Sequence, residues 1–299
     1  MNARVAAAAR AMRPRQWPKN AAVLAAFFFA LGDPTQGVSI RQLAAVIVAA
    51  ALFCLASSAV YVFNDLLDRE RDRMHPVKRR RPIASGELPA GAALALGTAL
   101  AVAAVTGAVA LSPRYAGTLG AYLVLQALYS LALKRVPLVD VIVIAAGFVL
   151  RTIAGAQAIR AAISPWLLLC AFLLALFLAL CKRRGERRHL GVRERSSARP
   201  ALTGYGARLL DQLIAIVASA TIACYAIYTL WPDTVAKFRT HRLVFTVPFV
   251  LFGLFRYLDL VYRREEGGEP EHVLLTDGPT LVNLALYVAA VLAILLGPH

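Results

Sequence analysis

The sequence predicts an all-α, polytopic membrane protein, and three observations carry that prediction. Hydrophobic residues make up 59% of the 299-residue chain, against about 45–50% in a soluble globular domain. They come in runs of roughly 20 residues, the length a helix needs to cross a hydrocarbon core of about 30 Å. The 33 lysines and arginines fall unevenly between those runs, as they do where positive charge on the cytoplasmic side sets a chain's orientation.

Nine apolar runs, near 18–32, 40–63, 91–111, 115–133, 138–158, 164–182, 208–231, 242–262 and 279–297, predict nine transmembrane helices in a single domain over 1–299. With the amino terminus inside, 25 of the 33 basic residues are cytoplasmic, 6 are outside, and Arg151 and Arg256 are intramembrane. The net charge of +16 therefore belongs to one membrane face and is not read as a nucleic-acid footprint. The chain is expected to be a multi-pass protein of the cell (inner) membrane. Arg4, Arg10, Arg13, Arg15 and Lys19 crowd the first twenty residues without an apolar core, so no cleavable signal peptide is expected.

The outside connections are short, whereas 64–90, 183–207 and 263–278 are long, polar and cytoplasmic, so function points inward. Labels at Ser85 and Ser197 should react from the cytoplasm, and labels at Ser112 and Thr234 from outside. Cys54, Cys170, Cys181 and Cys224 fall in or beside apolar runs without CxxC or Cys/His spacing and read as packing residues. His75, His189, His241, His272 and His299 lack metal-ligand spacing, so no zinc is expected.

The second run ends in Asn64-Asp65-Leu66-Leu67-Asp68-Arg69-Glu70-Arg71-Asp72. If the helix continues beyond the membrane surface, Asp65, Asp68 and Asp72 share one face. Converging carboxylates repel unless a cation neutralises them, and Mg²⁺ takes one or two carboxylates plus water and phosphate oxygens. Surface pairs with Arg69, Arg71 and Arg73 account for the spacing equally well. His75-Pro76-Val77-Lys78-Arg79-Arg80-Arg81-Pro82 follows. Bases beside acids suit phosphate oxygens that a metal leaves uncovered, although for Arg79 and Arg80 a contact with anionic lipid serves as well.

Asn64-Asp65-x-x-Asp68-x-x-x-Asp72, then Arg81-Pro82 and Gly86, at the end of the second of nine helices, resembles the UbiA superfamily of intramembrane prenyltransferases. The likeness extends through Tyr129-Ser130 to Lys134. It implies a nine-helix bundle around a central cavity open to the cytoplasm, with Asp65, Asp68 and Asp72 as catalytic residues holding Mg²⁺ on a diphosphate. Most of the superfamily carries a second motif, DxxxD, at the cytoplasmic end of helix 6. Here that place reads Lys182-Arg183-Arg184-Gly185-Glu186, with Lys182 and Glu186 standing where the carboxylates would be. The change favours an additional anion.

With the basic Arg13-Pro14-Arg15-Gln16-Trp17-Pro18-Lys19-Asn20, this resembles the phosphoribosyltransferase branch of the superfamily. That resemblance implies transfer from 5-phosphoribosyl diphosphate (PRPP) to decaprenyl phosphate, releasing diphosphate, for arabinan and cell-wall synthesis. It implies Lys182, Arg183 and Glu186 at the sugar phosphate, Lys78 and Arg81 at phosphate, Asn64 at the substrate, Tyr129 and Lys134 at the cavity rim, and Lys19 and Asn20 nearby. Arg151 lies about 20 Å along the fifth span by helix rise. At that depth an ion lines a cavity or is paired, and for Arg151 a substrate or a carbonyl serves equally. Asp140 is equally open, and Arg256 and Asp259, three apart, suit an ion pair. The rival reading is a prenyltransferase that moves a prenyl chain onto an aromatic or other small acceptor. Oligomeric state is left open, a homo-oligomer being compatible with the sequence.

Overall fold

The computed structural model describes residues 3–31, 39–189, 200–263 and 276–297. Ser197, His272 and His299, with parts of the 183–207 and 263–278 loops, lie outside the described residues. Every regular element among the described residues is helical. A short α1 (Ala3–Ala11) leads into a 3-10 helix (Pro14–Leu24) and α2 (Ala25–Leu31). The long α3 (Ile40–Leu67) is followed by the short α4 (Arg69–Arg73) and α5 (Pro82–Ser85). Then come α6 (Ala90–Leu111), α7 (Pro113–Leu131), α8 (Val139–Ile159) and α9 (Pro165–His189). The remainder is α10 (Ala207–Leu230), α11 (Pro232–Phe238), α12 (Val247–Arg263) and α13 (Gly278–Leu296).

Seven helices among the described residues are long and apolar enough to cross a membrane: α3, α6, α8, α9, α10, Arg242–Arg263 and α13. The protein is an integral membrane protein. Two of the nine expected spans take another form. The expected 18–32 helix begins as 3-10 from Pro14 to Leu24, with Pro18 inside it, where the missing amide donor breaks an α-helical ladder. α7 runs over the expected fourth span with Arg114, Thr118, Gln126 and Ser130 in or beside its apolar residues, so it is the more polar member, packed between α6 and α8.

α8 is the centre of the bundle, packing on α3, α7, α9 and the 3-10 helix. Two apolar cores meet along it. One joins Val23, Phe53, Tyr115, Leu119, Tyr122 and Ala154; the other joins Val141, Phe177, Leu180, Tyr205, Leu210, Tyr257 and Leu260. At Gly155 a Cβ would lie 1.9 Å from the Val23 carbonyl oxygen, so only glycine lets the 3-10 helix come this near α8. Because lipid tails are as apolar as leucine, such close approach matters more here than apolar burial. On the other side, Val102, Val105 and Val109 leave α6 with an exposed apolar stripe, as a lipid-facing helix requires.

The orientation expected from charge is testable at exposed positions. Ser85 is exposed, but Thr234 is buried, which makes it a poor labelling site; the neighbouring Asp233 is exposed. Impermeant thiol reagents should modify Ser85→Cys from the cytoplasm and Asp233→Cys from outside. The reverse pattern in inverted vesicles would overturn the orientation.

Candidate active site

Three aspartates are set out by the end of α3. Ser58, Tyr61 and Asp65 stand at helical spacing on one face, and the helix ends at Leu67. Asp68 takes a bridge conformation with φ −90° and ψ 6°, and its carbonyl accepts from the Asp72 amide at 2.8 Å, starting α4. The continuous helix expected from the sequence is thus interrupted at Asp68, and the three carboxylates acquire different surroundings.

Asp65 and Asp72 are 4% and 2% exposed, a burial carboxylates tolerate only with charged partners. Arg81 supplies one for both: a single nitrogen, Nη1, donates to Asp65 Oδ1 at 3.0 Å and to Asp72 Oδ2 at 2.6 Å. Arg13 donates to the same Asp65 oxygen at 2.5 Å. Asp68 is turned elsewhere and accepts from Lys134 Nζ at 3.2 Å.

These groups line a cavity of about 200 Å³. Of the candidate residues, Asn64, Lys78, Arg81, Tyr129, Lys134 and the three aspartates all border it. Arg79 and Arg80 are exposed and do not. Arg13, Arg71 and Arg135 border it as well, and sequence reasoning had assigned none of them to the site. The wall therefore carries six basic side chains against three acidic ones, a balance that suits a polyanion.

The carboxylates also fit a divalent cation of a particular kind. Arg81 Nη1 shows that one cationic centre fits between Asp65 and Asp72. No three such ligands converge on one point among the described residues. Mg²⁺ does not need a closed cage, since water and phosphate oxygens complete its shell. The residues fit a cation shared with a bound phosphate ester.

Deeper in the bundle, Arg151 donates to Asn20 Oδ1 at 2.8 Å, to the Gly147 carbonyl at 2.9 Å and to the Tyr122 hydroxyl at 2.9 Å. Asn20 in turn donates to Ser57 Oγ at 3.2 Å. The structural partner weighed for Arg151 is therefore present, and this pair binds the 3-10 helix to α8 and α3. Neither residue borders the cavity, and nor does the half-buried Lys19.

A second cluster lies where α9 meets α8. Arg183 is 1% exposed; it donates to Asp140 Oδ2 and to Glu186 Oε2, both at 2.7 Å. The other Asp140 oxygen accepts from the Tyr205 hydroxyl at 2.5 Å. That hydroxyl also accepts from the Leu138 amide at 2.7 Å. Leu138 itself has φ 67° and ψ −46°, a strained turn held by these bonds. Burial and the adjacent Asp140 carboxylate push the Tyr205 phenol pKa up. Tyr205 was missed because it stands 65 residues from Asp140, and no local pattern links them.

Arg183 and Glu186 are thus tied to each other and to Asp140, with the Tyr129 phenol of the cavity wall within electrostatic reach of Arg183. Lys182 is half-buried and does not border the cavity. Arg184 pairs with Asp211 at 2.7 Å and Arg187 with the Tyr205 carbonyl, so this basic segment is woven into the helix ends. The Arg256–Asp259 pair is present at 3.1 Å. Arg256 is joined by Asp277 at 2.7 Å, which the Arg256 guanidinium holds well below the usual carboxylate range.

The architecture has known counterparts. A UbiA homolog from Archaeoglobus fulgidus, solved bound to GPP and Mg²⁺, superposes with a TM-score of 0.74 over 97% of this chain and 99% of that one, at 19% identity. Decaprenyl-phosphate phosphoribosyltransferase of Mycobacterium tuberculosis is 34% identical over 96% of this chain and 93% of its own. The enzyme of the same name from Corynebacterium glutamicum is 35% identical over 90% of this chain and 80% of its own. The family model described as the UbiA prenyltransferase family matches residues 20–276. With that match spanning most of its length, and its helices enclosing an aspartate-lined cavity, the chain belongs to the UbiA prenyltransferase family.

Proposed function

We propose that the protein transfers 5-phosphoribose from PRPP to a polyprenyl phosphate, decaprenyl phosphate in the named relatives, releasing diphosphate at the cytoplasmic face of the inner membrane. The product would feed arabinan and cell-wall synthesis. The observation that carries this reading is the charge of the cavity wall, six bases around three aspartates. It suits a reaction that gathers a diphosphate, a 5-phosphate and a lipid phosphate. Identity of 34–35% to enzymes named for that reaction, over nearly the whole chain, supports it.

Asp65 and Asp72 would hold Mg²⁺ against the diphosphate, with Asp68 at the edge. Bound there, the cation would offset charge developing on the leaving group. Arg81 and Lys78 donate to the diphosphate oxygens, and charge-assisted bonds of this kind are the strong ones. Lys134, which lines the cavity with Tyr129, would take the phosphate of the lipid. A lipid phosphate oxygen is already ionised at neutral pH, so its attack on ribose C1 needs little base assistance. The new C1–O bond forms as the bond from C1 to the diphosphate breaks, and diphosphate leaves with the electron pair. Displacement opposite an α-linked leaving group gives a β-linked phosphoribosyl lipid. Holding two anions in line at close range is the main contribution of these residues.

Membranes containing the protein, given labelled PRPP, Mg²⁺ and a short polyprenyl phosphate, should yield a lipid heavier by one phosphoribosyl group, read by mass spectrometry. Chelation should abolish the product. Consumption of a prenyl diphosphate with an aromatic acceptor, and none of PRPP, would overturn the reading in favour of prenyl transfer.

A further inference from the structure

Arg13 sits in the cavity wall with an unusual history in the chain. It precedes Pro14, a position that disfavours helical dihedrals. Yet it adopts φ 54° and ψ 61°, the left-handed region that side chains other than glycine and asparagine avoid. The backbone is pinned there. Ser58 Oγ donates to the Met12 carbonyl at 2.9 Å and accepts from Trp17 Nε1 at 3.1 Å. Ser58 is two helical turns before Asp65 on the same face, so α3 itself fixes the distance from this strained residue to the carboxylate. The Arg13 guanidinium lies over the Tyr61 ring, 5.0 Å from its centroid, and spends one nitrogen, Nη2, on Asp65. Its side chain remains 29% exposed and borders the cavity.

Asp65 Oδ1 accepts from two arginine nitrogens, Arg13 Nη2 and Arg81 Nη1, and the same Arg81 nitrogen reaches Asp72. Arg81 alone bridges both carboxylates; Arg13 is surplus to that bridge. Strained backbone that its surroundings hold in place clusters at active sites and ligand clamps. A cation that enters between Asp65 and Asp72 takes the place of Arg81 Nη1, which bridges the two, and meets Arg13 on the same Asp65 oxygen; Arg13, with no second carboxylate to hold it in that bridge, is the guanidinium freed to turn into the cavity.

We infer that Arg13 is an exchangeable counter-ion: it neutralises Asp65 while the site is empty, and transfers to the diphosphate when a divalent cation takes its place. The inference rests on the diphosphate half of the proposed function, which PRPP and a prenyl diphosphate share. It is independent of which of them is the donor. The exchange has a consequence that a plain phosphate ligand would not have. Arg13 opposes the metal when the metal comes alone and favours it when diphosphate comes too, so metal and diphosphate should bind cooperatively through this residue.

The test uses the full chain in detergent, with Mn²⁺ and inorganic diphosphate as probes, followed by calorimetry or by the electron paramagnetic resonance of free Mn²⁺. For Arg13→Gln, Mn²⁺ alone should bind several-fold tighter than to the wild type, because its competitor is gone. Diphosphate in saturating Mn²⁺ should bind about tenfold more weakly, the loss expected for one charge-assisted hydrogen bond. Arg13→Lys keeps the charge and should recover most of the diphosphate affinity. The melting temperature of each variant separates these effects from misfolding. If Mn²⁺ binding is unchanged or weaker while diphosphate binding falls, Arg13 is an ordinary phosphate ligand and the exchange is refuted. If neither affinity moves in folded protein, Arg13 has no part in ligand binding. If Arg13→Gln does not fold, Arg13→Met replaces it in both titrations: tighter Mn²⁺ alone with weaker diphosphate supports the exchange, and Mn²⁺ binding unchanged or weaker overturns it.

Discussion

Asp65→Asn is expected to reduce turnover by at least about 10²–10³-fold, the scale on which removing one preorganised charge partner slows a reaction that develops charge. The amide keeps the shape of the carboxylate and loses only the charge that would hold a cation, so the variant should still purify as a folded protein. Asp72→Asn should resemble it, since Asp72 is equally buried and shares the same Arg81 nitrogen. Asp68→Asn should cost less. Its side chain is 36% exposed and its partner is Lys134, away from the Arg81 bridge. Initial rates at limiting Mg²⁺ would rank the three, and raising Mg²⁺ should partly rescue Asp68→Asn. Were Asp65→Asn to retain more than half the wild-type rate, the metal-binding assignment of the Asp65–Asp72 pair would fail.

The difference among these aspartates illustrates what the sequence could and could not show. Periodicity places Asp65 on a helix face with Tyr61 and Ser58 because α3 is continuous there. The positions of Asp68 and Asp72 depend on a helix break that no residue in Asn64–Asp72 announces; no proline or glycine stands among them. An acidic face beside a run of four bases does not say which of them turns inward: the resemblance points to Lys78 and Arg81, and the fold sets these two on the cavity wall with Arg79 and Arg80 exposed outside it. Arg13 was visible as cytoplasmic charge and not as a cavity residue. Its approach to Asp65 is made by Ser58, Trp17 and Tyr61, and such contacts across 41 to 52 residues leave no local pattern. Seven spans were legible from hydropathy alone. The 3-10 form of the first segment goes with Pro18 inside it, whose missing amide outweighs the apolar residues after it.

The largest stability effect should come from Arg183, where the structure gives the side chain a partner that the sequence did not name. Read as a sequence, Arg183→Ala raises the KM for PRPP. In the fold, the guanidinium is 1% exposed and joins Asp140, which is fully buried, to Glu186. Removing one member of a buried pair leaves the other charge desolvated and typically costs about 3–5 kcal/mol. Arg183→Ala should therefore lower the apparent melting temperature in detergent sharply. Glu186→Gln should lower it little, because its side chain is 23% exposed and water replaces the lost bond. Asp140→Leu should be as damaging as Arg183→Ala, since it leaves the buried Arg183 Nε and the Tyr205 hydroxyl without the carboxylate that accepts from both. Combining Asp140→Leu with Arg183→Ala removes both charges and should be less damaging than the two singles added together, which is the signature of a coupled pair. Melting curves for the two singles and the double, with PRPP kinetics at a temperature where all are folded, decide the matter. A melting temperature for Arg183→Ala close to that of the wild type, together with a donor KM raised about tenfold, the loss of one charge-assisted bond, would place Arg183 at the sugar phosphate. The opposite pattern makes it a positioning residue, which fixes the end of α9 against the Tyr129 side of the cavity.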